Sequence, residues 1–172
     1  MPALKELKLK AKVSDFAAVR EKLKSLAKFS KKAEYADYFF KSASSNPVSE
    51  LRIRNKNEGK TITVKILLER NQVQVNRIYS FTVDHPEDCV SFLELLGFHA
   101  HSELRKKSEV YLAGDIRIEL AEVEGLGKYV EITLQTTGDA HPIAEQLESF
   151  AEKLGLKKEQ MDSRFYSQMN ES

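Results

Sequence analysis

A second cysteine is missing, so Cys89 cannot enter an intrachain disulfide, and the chain fits a reducing compartment. Cys89 lies among Val90, Phe92 and Leu93 at helical spacing, which reads as a buried structural thiol. Membrane-length apolar runs are also missing, and Met1-Pro2-Ala3-Leu4-Lys5-Glu6 has none of the apolar stretch of a secretory signal. A soluble cytoplasmic protein without a membrane partner is expected. Net charge is nearly absent too: 27 Lys and Arg stand against 26 Asp and Glu. That balance argues against a nucleic-acid partner while leaving room for a local basic site. No low-complexity linker divides the 172 residues, which suffice for one core without disulfide or metal staples. One domain over residues 1–172 is expected.

What is present is alternation. From Leu4 to Val13, Leu7, Leu9, Ala11 and Val13 alternate with Glu6, Lys8, Lys10 and Lys12, the period of a strand with one apolar and one ionic face. Ser14 offers a helix N-cap, Asp15 favours the helix start, and Phe16, Val19, Leu23 and Leu26 recur at helical spacing. Asn46-Pro47 marks a turn. Beyond it Leu51 and Ile53 oppose Arg52 and Arg54. Asn57-Glu58-Gly59-Lys60 reads as a hairpin, and the following strand sets Ile62, Val64, Ile66 and Leu68 against Thr61, Thr63, Lys65 and Glu69.

Pro86 opens a helix carrying Cys89, Phe92, Leu93 and Leu96, which Gly97 stops. Leu104 to Leu112 and Asp115 to Ala121 are two extended segments joined at Ala113-Gly114, with Ile116, Ile118 and Leu120 opposing Arg117 and Glu119. After the Gly125-Leu126-Gly127 turn, Val130, Ile132 and Leu134 oppose Tyr129, Glu131 and Thr133. A last helix carries Ile143, Leu147, Phe150 and Leu154, and Gly155 ends it. The class is α+β with antiparallel strands. Periodicity alone leaves open whether the ionic faces are wetted on an open sheet or gathered together. The pairs Lys8 with Lys10 and Arg52 with Arg54, joined by Lys65, favour gathering around an anion, since like charges on neighbouring strands otherwise repel.

The motifs resemble the CYTH superfamily, the triphosphate tunnel metalloenzymes that include class IV adenylyl cyclases and thiamine triphosphatases. Glu6-Leu7-Lys8-Leu9-Lys10 is similar to the family's opening ExExK except at the middle acid. Leu51-Arg52-Ile53-Arg54 resembles its paired arginines, Val64-Lys65 its strand lysine, and Leu96-Gly97-Phe98 its mid-chain LGF. Ala121 to Thr133 resembles its DxVxGLGxFxEIE, and Lys153-Leu154-Gly155-Leu156 with Arg164-Phe165-Tyr166 resembles its closing helices. The resemblance implies an eight-stranded antiparallel β-barrel, a tunnel with helices packed outside. Its basic residues would grip a nucleoside triphosphate, tripolyphosphate or similar small polyanion, and its inward carboxylates would hold Mg²⁺ or Mn²⁺. Lys8, Lys10, Arg52, Arg54, Lys65, Lys106 and Arg117 are the phosphate-binding candidates, guanidinium forks acting bidentately and ammonium groups as point charges. The competing reading pairs these cations with Glu6, Glu69, Glu119 and Glu131.

The acids are where the chain departs from the family. Lys8, Ala121 and Thr133 stand where the family carries metal-ligating or catalytic carboxylates, leaving Glu6 and Glu131 as metal candidates. A divalent ion about 5 Å from the Lys8 ammonium, at an effective dielectric near 20, meets roughly 7 kcal/mol of repulsion. A millimolar site is worth only about 4 kcal/mol. Mg²⁺ or Mn²⁺ is therefore expected to bind weakly. Two functions stay open: an anion-binding member with weak or no catalysis, and an active cyclase or triphosphatase whose catalytic residues are not assigned.

Three smaller features complete the reading. Ser108 falls where a basic residue is expected near Lys106. Arg77 resembles the first residue of an RxE pair, with Tyr79 in place of the acid and its orientation open. His99-Ala100-His101 has metal-like spacing without a third ligand, and the Gly125 turn lacks the helix of a dinucleotide loop. A homodimer stays open.

Overall fold

Alternation in the first strand decides which side of the wall each residue faces. In the computed structural model, which describes residues 2–169, Leu7, Leu9 and Ala11 of β1 (Lys5–Val13) are completely buried under helices, whereas Glu6, Lys8 and Lys10 face the opposite way. The other strands are β2 (Lys28–Ser42), β3 (Glu50–Lys56), β4 (Gly59–Arg70), β5 (Val73–Val83), β6 (Phe98–Ala113), β7 (Ile116–Val123) and β8 (Gly127–Thr136). They close into one barrel in the order β1-β5-β4-β3-β2-β6-β7-β8, every neighbouring pair antiparallel. Closure removes sheet edges and turns the second face of every strand into a lumen.

Helices seal the apolar outside. α1 (Ala17–Leu26) and α3 (Ala140–Lys153) cover β1, β7 and β8 through Val19, Leu23, Leu147 and Phe150, while α2 (Pro86–Leu95) sets Leu93 against Leu51, Ile53 and Ile62. Cys89 is partly buried in this second cluster, and burial raises its thiol pKa. Ser14 does not cap α1. The Asp15 carboxylate accepts from the Ala17 N–H at 2.8 Å instead, because the helix begins at Ala17, two residues later than a Ser14 cap would place it. The hairpin at Gly59 and the stop at Gly97 form as read, both with positive φ that a side chain resists. No helix among the described residues is long and apolar enough to cross a membrane.

Beyond a 3-10 turn at Lys158–Gln160, the short α4 (Tyr166–Met169) behaves differently from the other helices. Tyr166 and Met169 pack with Phe39, Leu104, Ala121, Val123 and Tyr129, residues that share parity with the lumen-facing charges of β2, β6, β7 and β8. α4 therefore sits in the upper end of the barrel, where β1 ends and β8 begins.

Leu147, with no exposed surface beneath α3, should lose about 2–5 kcal/mol of stability on substitution by Ala. Leu95→Ala, at 87% exposure on α2, should change stability by less than about 0.5 kcal/mol. Urea unfolding of the two variants checks this outside-in core, and equal losses would contradict it.

Candidate functional site

Cross-strand register brings the charged residues together in the lumen. Lys8 lies opposite Thr133 and Lys10 opposite Glu131 across β1 and β8; Glu119 lies opposite Glu131 across β7 and β8; Asp37 lies opposite Arg54 across β2 and β3; Glu50 lies opposite Lys65 across β3 and β4. All seven candidate cations, Lys8, Lys10, Arg52, Arg54, Lys65, Lys106 and Arg117, share the inward parity of these pairs. Five carboxylates share the space with them: Glu6, Asp37, Glu50, Glu119 and Glu131.

Most of the cations are paired there, as a buried charge must be. Lys65 donates to Glu6 at 2.8 Å and Lys8 to Glu131 at 2.9 Å. Lys106 bridges Glu119 at 3.0 Å and Glu131 at 2.8 Å. Arg54 makes a two-pronged contact with Asp37 at 2.6 and 2.7 Å, its guanidinium 4.4 Å from the centre of the Tyr35 ring. Arg117 holds Glu119 at 2.6 Å and the Tyr35 hydroxyl at 3.0 Å. Lys10 has no carboxylate hydrogen bond: its ammonium donates to the Arg164 carbonyl and lies 4.1 Å from the centre of the Tyr166 ring.

Arg52 is the loosely held member. Its nearest acids, Asp37 and Glu50, are 3.7 and 3.8 Å from a terminal nitrogen, beyond hydrogen-bond range, and its buried Nε has no partner. The buried Ser108 Oγ and Asn76 Oδ1, both at inward-facing positions, also lack partners.

The protonation states follow from these neighbours. Burial alone would raise the Glu6 carboxyl, but Lys65 and Lys8 outweigh it and hold the group well below the usual range. Burial opposes ionisation of Glu131 as well, and Lys106 with Lys8 overcomes it. Glu119 is held at about 2, burial and Glu131 working against Lys106 and Arg117. Burial lowers Lys10 to about 7, aided by Lys8 and opposed by Glu131. Burial, Lys8 and Arg52 pull Lys65 down in spite of Glu6. At the lower opening, burial followed by Arg54, Arg52, Lys31 and Arg117 depresses the Lys56 ammonium.

Other expectations divide. Glu69 is exposed and outside the network, because the irregularity between Leu67 and Glu69 in β4 turns it to the outer face opposite Val75. Arg77 is outward and exposed, on the same face as Val75. His99 and His101 lie exposed at the start of β6, and no cluster of three His, Cys, Asp or Glu among the described residues is arranged to hold a metal ion. Asp37 and Tyr35 on β2 and Glu50 on β3 were not read from the sequence as site residues, and Tyr166 was read only as part of a closing helix. In β2 the inward series Tyr35, Asp37, Phe39 alternates as a wall strand does, but the run of Lys28, Lys31 and Lys32 before it obscures the period.

A closed eight-stranded antiparallel barrel with a lumen of paired charges is the architecture of a triphosphate tunnel protein. The chain matches the CYTH domain over residues 4–166 and belongs to that family. Of the known proteins it resembles, MJ0240 of Methanocaldococcus jannaschii, which carries a provisional adenylate cyclase name, is 25% identical, the match spanning 95% of this chain and 97% of that one. The solved structure of PH1012 from Pyrococcus horikoshii superposes with a TM-score of 0.83 at 26% identity, covering 95% of this chain and 98% of that one. HpAC1 from Hippeastrum, whose structure is described as revealing a dominant triphosphatase activity, shares the fold at a TM-score of 0.66 and 20% identity, covering 96% and 93% of the two chains.

The lumen carboxylates titrate lower in the folded chain than in the unfolded one, where Glu sits near 4.3. Their contribution is therefore complete above about pH 4 and lost as pH falls toward and below 2. Urea unfolding from pH 6 to pH 2 should show stability falling steeply below about pH 4, and a flat profile would contradict the ionised network.

Proposed function

We propose that the chain, residues 1–172 acting as one domain in the cytoplasm, binds a triphosphate or other phosphate-rich anion in the barrel lumen, with weak or no metal-dependent catalysis. A nucleoside triphosphate or tripolyphosphate has the right chemistry. The observation that carries this reading is Arg52, a half-buried guanidinium facing the lumen without a hydrogen bond, its Nε fully buried and without a partner. A phosphate oxygen would accept from Arg52, and further oxygens would draw Arg54, Lys8 and Arg117 away from their carboxylates. Charge-assisted bonds of this kind are the strong ones in a site of low dielectric.

The acids do not fit a divalent ion as they stand. Mg²⁺ and Mn²⁺ need carboxylate oxygens that can turn toward them. Here Lys106 lies between Glu119 and Glu131, Lys8 takes another oxygen of Glu131, and Lys65 takes Glu6. Ammonium groups fill the space between carboxylates that a metal would share. The polyanion's charge is then balanced by the protein's own cations, which favour binding without supplying stabilisation specific to a transition state.

A second reading, a metal-dependent adenylyl cyclase or triphosphatase, draws on the name of the M. jannaschii relative and on the inward position of Glu6, Glu119 and Glu131. A triphosphate that pulled Lys8 and Lys106 off Glu131 would release its oxygens for a metal.

Tripolyphosphate without added metal should raise the melting temperature, the free-energy gain approaching about 2.7 kcal/mol at a hundredfold excess over Kd. The gain should shrink as salt rises, and Arg52→Met should remove most of it. Absence of any shift at millimolar ligand and low salt contradicts the binding reading.

With Mn²⁺, the protein as it stands should turn over neither ATP nor tripolyphosphate, measured as phosphate or cyclic nucleotide release. Lys8→Glu combined with Ala121→Asp and Thr133→Glu should introduce Mn²⁺ binding detectable by calorimetry. Many turnovers by the unsubstituted chain, abolished by Glu131→Gln, would establish the second reading instead.

A further inference from the structure

The upper end of the lumen holds a piece of the chain itself. Met161 bridges Ala11, and the Asp162 N–H donates to the Lys10 carbonyl at 2.8 Å, so the segment arrives alongside β1. It then turns into the barrel. Gln74, on the inward face of β5, donates to the Ser163 carbonyl at 2.8 Å, and the Lys10 ammonium donates to the Arg164 carbonyl. Tyr166 stands edge-on to Tyr129 with ring centres 5.3 Å apart, under Lys10 at 4.1 Å and Lys106 at 5.7 Å. Ser167 reaches Glu50 at 3.5 Å, and Arg70 on the rim of β4 holds Gln168 at 3.0 Å. Contacts from β1, β3, β4, β5, β6 and β8 therefore converge on seven residues, and Tyr166 and Met169 close the floor with Phe39, Leu104 and Val123.

The two ends of the barrel consequently differ. The lower end keeps Arg117 39% exposed and Lys8 17% exposed, with Lys56 beside them. At the upper end the Lys10 ammonium donates to a backbone carbonyl and faces an aromatic ring. Lys8 and Lys10 are two residues apart, about 7 Å along the strand, so a polyanion entering from below meets the floor soon after passing Lys8.

We infer that Ser163–Met169, pinned by Lys10 and capped by Tyr166, makes the lumen a blind socket open only at the Arg117 end. It takes the terminus of a polyphosphate and does not let a long polyphosphate pass through. This rests on the phosphate-binding reading above and adds to it a specificity for chain ends. Lys10 and Tyr166 act as specificity-determining residues, and Lys10 holds the floor in place of gripping phosphate. No covalent step is involved.

The test is stoichiometry. A blind socket lets a long polyphosphate carry at most one protein at each of its two ends, whereas an open tunnel lets many proteins thread onto one chain. Sedimentation of the protein with a size-fractionated long-chain polyphosphate, at salt high enough to suppress surface binding, counts copies per chain, and calorimetry with tripolyphosphate runs in parallel. The unsubstituted protein should bind tripolyphosphate and load no more than two copies per long chain. Tyr166→Gly and Tyr166→Ala should load several copies with tripolyphosphate affinity changed less than about threefold, while Tyr166→Phe, which keeps the ring, should behave as the parent.

More than two copies of the unsubstituted protein per chain, with tripolyphosphate still bound, overturns the blind socket and leaves the binding reading standing. Failure to bind tripolyphosphate overturns both. If the opening variants do not fold, the count on the unsubstituted protein alone decides.

Discussion

The structure depends on keeping charge inside a closed barrel. Glu131 is 1% exposed and would be untenable as a lone carboxylate in such a place; Lys106 and Lys8, one on each side, make it tenable. Lys106 in turn commits Glu119, Glu119 commits Arg117, and Arg117 orients Tyr35. Loss of Lys106 would take a partner from both Glu119 and Glu131 at once. The network is thus a condition of the fold as much as a binding surface, which is why its members cannot be ranked one by one as ligands.

Pairing also separates binding from catalysis in this chain. A metal-dependent phosphoryl or nucleotidyl transfer needs carboxylates that are free to hold the ion and an ion placed to stabilise the developing charge. The ammonium groups of Lys8, Lys65 and Lys106 take up those carboxylates. A polyanion can compete for the same ammonium groups, because it offers them more negative charge than a single carboxylate does. The two ends of the barrel add direction: the lower one leaves Arg117 and Lys8 partly exposed, and the upper one is filled by Tyr166 and its neighbours.

Much of the wall was legible before the structure. The strict alternation in residues 5–13, 50–54, 61–68 and 116–120 places Leu7, Ile53, Val64 and Ile118 on one face and Lys8, Arg52, Lys65 and Glu119 on the other, and side-chain parity along a strand is a local property. Glu69 broke that rule because a bulge shifts register by one residue, and the partner strand sets a bulge. β2 escaped notice because its first turns face water on both sides and carry lysine where a wall strand would alternate.

The sequence by itself determined which residues could line a charged face, that helices would cover the other face, and, through motifs such as Leu51-Arg52-Ile53-Arg54, which family the barrel belongs to. Periodicity, capping chemistry and motif spacing all act over a few residues and can be read along the chain. Only the tertiary structure decided that Asp37 answers Arg54, that Lys106 lies between Glu119 and Glu131, and that Tyr166 closes the upper end over Lys10. The Lys10 hydrogen bond to the Arg164 carbonyl beneath that ring joins residues 154 positions apart, and which cation meets which carboxylate depends on barrel closure and strand register, properties that no single strand carries.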